Sequence, residues 1–199
     1  MEEDEYRTVK QVAEGLYKEK GSRFISFIYP VKTEEEIKTI LAEIKLKYFD
    51  ARHHCYAYGL GVRREAFRMN DDGEPSSTAG KPIFGQIVSH DLSNVLIVVI
   101  RYFGGTKLGV SGLIQAYKEA AADAIRNAEI VLETENISLD IRFSYAVMND
   151  VMKVLKDMDL EVLDRNFELE CSMRLSIRRK YSTLLKDRLM QIESLVIEE

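Results

Sequence analysis

The sequence predicts an α+β protein of two domains, and three observations carry that reading. Hydrophobic periodicity switches repeatedly between two and about 3.6 residues, so strands and helices are interspersed. All eleven glycines lie at or before Gly112 and all three prolines at or before Pro82. The glycine- and proline-free stretch beyond them carries its own set of strand and helix patterns, enough for a second small core. A chain of 199 residues accommodates two domains of this size.

Taken in order, Arg7–Lys18 and Arg23–Tyr29 read as strands joined at Lys20-Gly21-Ser22. Thr33 and Glu36 have capping-box spacing, and Ile37, Ile40, Leu41, Ile44 and Tyr48 then fall on one helical face. Arg52–Arg63 reads as a strand, with a shorter one at Ala66–Met69. Asp71–Lys81 is a loop of turn-forming residues, leading into a short helix at Pro82–Val88 with Ser77 or Thr78 as its cap. Asn94–Phe103, with LIVVI at its centre, is a strand buried on both faces. A glycine-rich turn at Gly104–Gly109 opens an Ala-rich helix running to about Ala128, with Leu113, Tyr117, Ala120, Ala121, Ala124 and Ala128 inward.

Residues 130–136 read as the linker between a first domain, 1–130, and a second, 136–199. In the second, Ile137, Leu139, Ile141, Phe143 and Tyr145 alternate as a strand, and Val147, Met148, Val151, Val154, Leu155 and Met158 form a helical face. Leu160–Leu163 is a short strand, and Phe167, Leu169, Cys171, Met173, Leu175 and Ile177 alternate again. Tyr181, Leu184, Leu185 and Leu189 give a second helix, and Leu195–Ile197 a last strand. The order β-α-β-β-α-β is that of a ferredoxin-like domain.

Composition narrows the function. With 46% hydrophobic residues the chain is not a disordered one. The net charge of -5 opposes bulk affinity for nucleic acid, so such a partner requires a local basic face. Residues 1–130 hold 18 basic and 19 acidic residues against 10 and 14 in residues 131–199, so the first domain is the less acidic. Cys55 and Cys171, far apart in sequence, make no disulfide framework and fit a reducing cytosol. The acidic, polar MEEDEYRTVK is no secretory signal, and the longest apolar run, Val95–Ile100, is too short to span a membrane. A cytoplasmic location without a membrane partner is expected.

Function concentrates between residues 50 and 112, in three stretches. The first places His53, His54 and Cys55 together, residue types that ligate zinc. In a strand His53 and Cys55 point to one face and His54 to the other, and no second Cys/His cluster completes four ligands. No metal and no cofactor is therefore expected. One half-buried strand histidine is the plain reading, and a histidine contacting a partner in a polar cleft is the functional one. The second stretch holds Asp71, Asp72 and Glu74, then small hydroxyls and Lys81. Three close carboxylates suit acid–base chemistry or a divalent cation, while Asp-Gly and Glu-Pro equally build a capped turn. The length and mixed chemistry of this loop mark it as a ligand contact. The third stretch, Arg101–Gly112, follows a buried strand and opens a helix, which is the geometry of an anion cradle. Its spacing matches neither the dinucleotide fingerprint nor the P-loop, and a tight turn with packing glycines is the alternative. Ser76, Ser77, Ser111, His54 and Asp72 do not assemble into a triad, and no catalytic residue is assigned.

Four segments, KGSRFI (20–25), ARHHCYA (51–57), DDGEPSSTAGKPI (71–83) and VVIRYFGGTKLGVSGLIQAY (98–117), resemble the Impact family in its bacterial, YigZ-like branch. The resemblance implies a ribosomal-protein-S5-domain-2-like N-terminal domain, shared with elongation factor G domain IV. It implies a ferredoxin-like C-terminal domain similar to elongation factor G domain V. Eukaryotic relatives regulate translation under amino-acid starvation by competing for a kinase activator, using an additional N-terminal domain. The present sequence opens directly on the first strand. The resemblance brings no catalytic residues with it.

The leading expectation is thus a translation-related regulator that binds RNA or the ribosome. Its ligand-binding residues would be Arg52, His54, Asp71, Asp72, Glu74, Thr78, Lys81, Arg101, Gly104, Gly105, Lys107 and Gly109. The rival is an enzyme acting on a small phosphorylated or nucleotide substrate. A third reading is a protein–protein adaptor using the exposed sheet of the second domain. Whichever holds, residues 52–56, 71–82 and 101–112 should line one cleft. A deep pocket favours the enzyme and an open basic groove the RNA binder.

Overall fold

The computed structural model describes residues 2–168 and 170–198. The chain forms two compact units. One runs from Tyr6 to Glu133, and the other combines the segment up to Glu5 with Thr134 onward.

The first unit is built on five strands: β2 (Ala13–Glu19), β3 (Ser22–Pro30), β4 (His53–Leu60), β5 (Ala66–Asn70) and β6 (Val95–Tyr102). They form one antiparallel sheet in the order β2-β3-β6-β4-β5. The hairpin between β2 and β3 turns on Lys20 and Gly21, both at positive φ. That pair of left-handed residues suits the right-handed twist of a two-residue hairpin. Strand β6 sits in the middle with its apolar run wholly buried. Its side chains alternate between two cores. Val95, Ile97 and Val99 face α2 (Gly80–Ser89) and α3 (Gly109–Arg126), while Leu96, Val98 and Ile100 face α1 (Glu34–Lys47). Thr33 caps α1 by accepting the Glu36 amide at 3.2 Å, and Ile37 and Ile44 are the buried points of its apolar stripe.

Three readings of this unit change. The first predicted strand is two, because β1 (Glu5–Val9) lies outside the five-stranded sheet that β2 joins. The predicted linker is largely a strand, β7 (Ile130–Thr134), which pairs with β1 in a two-stranded ribbon. Its Ile-Val-Leu run is apolar and opens on two β-branched residues, and β1 supplies the ladder it needs. The helix expected from Pro82 begins two residues earlier, at Gly80. Pro82 therefore falls in the first turn, where a missing N–H costs no intrahelical bond.

The second unit follows the predicted order: β8 (Asn136–Phe143), α4 (Met148–Asp157), β9 (Glu161–Phe167), β10 (Cys171–Arg178), α5 (Ser182–Leu189) and β11 (Leu195–Glu198). Its antiparallel sheet runs β11-β8-β10-β9. Leu139, Ile141, Phe143, Cys171, Met173, Leu175 and Ile177 pack on Val151, Leu155, Leu185 and Leu189 from the two helices. Leu169, read as part of the inward series, lies outside the described residues. Tyr181 and Leu184, read as part of the second helix's pattern, are exposed, with Tyr181 just before its start, and Tyr145 follows the end of β8 rather than extending it. Cys55 and Cys171 are both buried and unpaired. Among the described residues no helix is long and apolar enough to cross a membrane.

Candidate functional site

Antiparallel pairing brings the start of β4 and the ends of β5 and β6 to one end of the sheet. His53 lies opposite Arg101, and Asn70 opposite Tyr56. The loops that follow β5 and β6 must leave from that same end. The expected convergence is present: a cleft of about 470 Å³ is lined by Arg52 and His53, by Glu74 and Pro75, and by Arg101, Phe103 and residues 107–110.

The floor is a buried polar chain. Arg101 Nη1 donates to Glu74 Oε1 at 2.6 Å, with the two side chains only 8% and 4% exposed. Tyr117, fully buried on α3, donates its hydroxyl to the same oxygen at 2.8 Å. The Cys55 thiol reaches the Tyr117 oxygen at 3.3 Å and the Asp71 carbonyl at 3.0 Å. Burial pushes both the Cys55 thiol and the Tyr117 phenol well above their usual ranges, so neither ionises near neutral pH. The Arg101 guanidinium lies over the rings of Phe24 and Phe103, 5.5 and 5.6 Å from their centroids. Its Nε is buried without an acceptor among the described residues. A neutral pair buried this way is retained only with good geometry, which the shared oxygen and flanking rings provide.

The rim differs. Arg52, Phe103 and Lys107 are exposed, and neither Arg52 nor Lys107 has a hydrogen-bond or ion-pair partner among the described residues. Helix α3 starts at the rim with no acidic residue in its first turn and no side-chain cap. Gly109, at φ +72, takes the left-handed step that opens the helix.

The acidic loop is organised around Asp71. Its carboxylate accepts the amides of Ser77, Ala79 and Gly80 at 2.8, 3.0 and 2.8 Å, which satisfies the N-terminus of α2. The cap expected from Ser77 or Thr78 is thus supplied from upstream, and the buried Thr78 hydroxyl donates instead to the Pro75 carbonyl. Asp72 accepts the His54 amide at 2.7 Å and lies 3.8 Å from Lys45. The His54 ring is buried, with Nε2 donating to the Tyr48 carbonyl.

Of the twelve expected ligand residues, Arg52, Glu74, Arg101, Lys107 and Gly109 line the cleft. Asp71, Asp72, Thr78 and His54 brace the loops around it through the bonds just given. Gly104 is a packing glycine, because a Cβ there would overlap the backbone of Gly21 and Ser22. Gly105, at φ +88, has open space beside it, and Lys81 is exposed outside the lining. His53 was missed. Its Nδ1 lies 2.8 Å from the Asp72 carbonyl, which can only accept, so Nδ1 carries a proton and donates there. Alternation with the inward Cys55 was the available signal. Phe103 and Tyr117 joined the site only through tertiary packing.

Among the described residues no group of three His, Cys, Asp or Glu side chains is placed to hold a metal ion. A larger cavity, about 540 Å³, lies in the second unit beside Met158, Tyr181 and Arg188, and gathers none of the expected site residues.

Residues 20–125 match the family described as the Impact N-terminal domain. An IMPACT family member of Haemophilus influenzae is 31% identical over 163 residues, spanning 81% of this chain and 79% of its own. The IMPACT family member YigZ of Escherichia coli is 28% identical over 160 residues, spanning 79% and 78%. A crystal structure described as that of a hypothetical protein shares the fold, with a TM-score of 0.77 at 24% identity, covering 98% of this chain and 96% of that one.

Proposed function

This chain belongs to the Impact family, and from that premise we propose that it is a translation-related regulator binding RNA or the ribosome through the cleft of its first unit. One observation carries the reading. The floor charges of Arg101 and Glu74 cancel, while Arg52 and Lys107 stand unpartnered at the rim beside the uncapped start of α3. Unpaired cations and free backbone amides are what phosphates need. The proposal also takes the first unit as ribosomal-protein-S5-domain-2-like, on the resemblance. It takes the second as ferredoxin-like, supported by the antiparallel order β11-β8-β10-β9. The test is binding of cellular RNA by wild type, Arg52→Ala and Lys107→Ala across several salt concentrations. Each lost phosphate contact should reduce the salt slope by about one unit. Equal affinities and slopes for the three proteins would remove the rim from the mechanism.

A second reading, an enzyme for a small phosphorylated or nucleotide substrate, is favoured by the convergence of the motifs. They meet in one cleft, and His53 lines it. Turnover of a phosphorylated metabolite that His53→Ala abolishes would put this reading ahead.

A further inference from the structure

We infer that the cleft holds one unpaired nucleotide of an RNA strand, its base against the apolar wall and its phosphate at the Arg52–Lys107 rim. The inference rests on the RNA reading above and specifies the ligand of the same site. Three observations lead to it. First, size: about 470 Å³ accommodates a nucleotide but excludes a duplex, which presents no single base.

Second, the wall is apolar where a phosphate-only site would be polar. Pro75, Phe103, Leu108, Val110 and Leu113 line it. Phe103 and Val110 are 55% and 60% exposed, so the site presents large apolar side chains to water at the mouth of a charged cleft. An exposed aromatic ring is the usual platform for an unstacked base. Phe103 is also steadied for that role, because the buried Arg101 guanidinium lies 5.6 Å from its ring centroid.

Third, the charge is arranged for one anionic group at one edge. Glu74 neutralises Arg101 on the floor, so the net positive charge sits on Arg52 and Lys107. A base carries no charge and suits the neutral floor, whereas its phosphate suits the rim. Sequence selectivity is not required, since every base offers a ring face to stack.

The experiment uses the full chain and three fluorescein-labelled 12-mers: a single-stranded RNA, the same RNA as a blunt duplex, and an abasic strand with the same phosphates. Fluorescence anisotropy at fixed salt should give single-strand binding at least tenfold tighter than duplex or abasic binding. Phe103→Ala should weaken the single strand by about 5- to 150-fold, the range for losing one stacked base, and leave the abasic strand unchanged. Phe103→Tyr should retain wild-type affinity, with melting temperatures as the folding control. Equal binding of the single-stranded and abasic RNAs, or an unaffected Phe103→Ala, overturns the nucleotide pocket while leaving RNA binding intact. Failure of all three strands to bind overturns the RNA reading itself.

Discussion

Helices α2 and α3 begin at the same end of the same sheet, and neither has a capping side chain at its own N-cap residue. Their dipoles pose the same electrostatic problem, since the first amides of any helix lack intrahelical partners. The chain solves it in opposite ways. Asp71 folds back and takes three amide hydrogens around the start of α2. At α3 the first turn holds no acid, and its residues line the cleft beside Lys107. The difference teaches which helix start is satisfied within the fold. The acidic stretch closes the start of α2, and the start of α3 is left without a side-chain cap beside Lys107.

The largest expected effect tests whether the acidic loop is structural down to its third carboxylate. Glu74→Ala leaves Arg101 charged, about nine-tenths buried and without its ion-pair partner. Removing one member of a buried pair typically costs about 3–5 kcal/mol. Chemical denaturation should show that loss. A change below about 1 kcal/mol would mean that Glu74 is held for chemistry rather than for folding, and would restore the acid–base reading of the loop.

A pair of variants addresses the comparison directly. Asp71→Ala should destabilise by about 1–2 kcal/mol, as loss of an N-cap does. Val110→Asp should do the reverse, adding a carboxylate to the first turn of α3 where the side chain is exposed. The expected gain is about 0.3–1 kcal/mol of stability, with RNA affinity reduced because the introduced charge competes for the same amides. Denaturation midpoints and anisotropy on the same samples check both halves. A stabilised Val110→Asp that binds RNA as wild type does would show that the α3 terminus is not part of the site.

Much of this organisation was legible because it is local. The continuous apolar run of β6, the Thr33 cap and the inward face of α3 each depend on residues within a few positions of one another. What escaped depends on distant partners. The run Ile130–Leu132 is too short to announce a strand, and β7 exists because β1, over 120 residues earlier, pairs with it. Asp71 caps from eight and nine residues upstream of Ala79 and Gly80, beyond the reach of any capping motif. The pairing of Glu74 with Arg101 spans 27 residues, so a carboxylate that reads as a solvated loop charge is in fact buried. Gly104 reads as cradle but serves the close passage of Gly21. His53 and His54 differ by one position, and only the placement of α3 over the Cys55 face decides which of them meets the cleft.

The smallest expected effect is the one that separates the two helix ends most cleanly. Lys81 and Lys107 are both exposed lysines near a helix start, and charge counting alone treats them as equivalent. Lys81 sits in the first turn of α2, whose amides Asp71 already occupies, and it lies outside the cleft lining. A cation in that first turn opposes the helix dipole, so Lys81→Ala should change stability by less than about 0.5 kcal/mol, in the stabilising direction if at all. Its salt slope for RNA should equal that of wild type, whereas Lys107→Ala should lose about one unit. Measuring both variants in one titration series makes each the control for the other. A slope change for Lys81→Ala would extend the binding surface across α2. An unchanged slope confines the ligand to the start of α3.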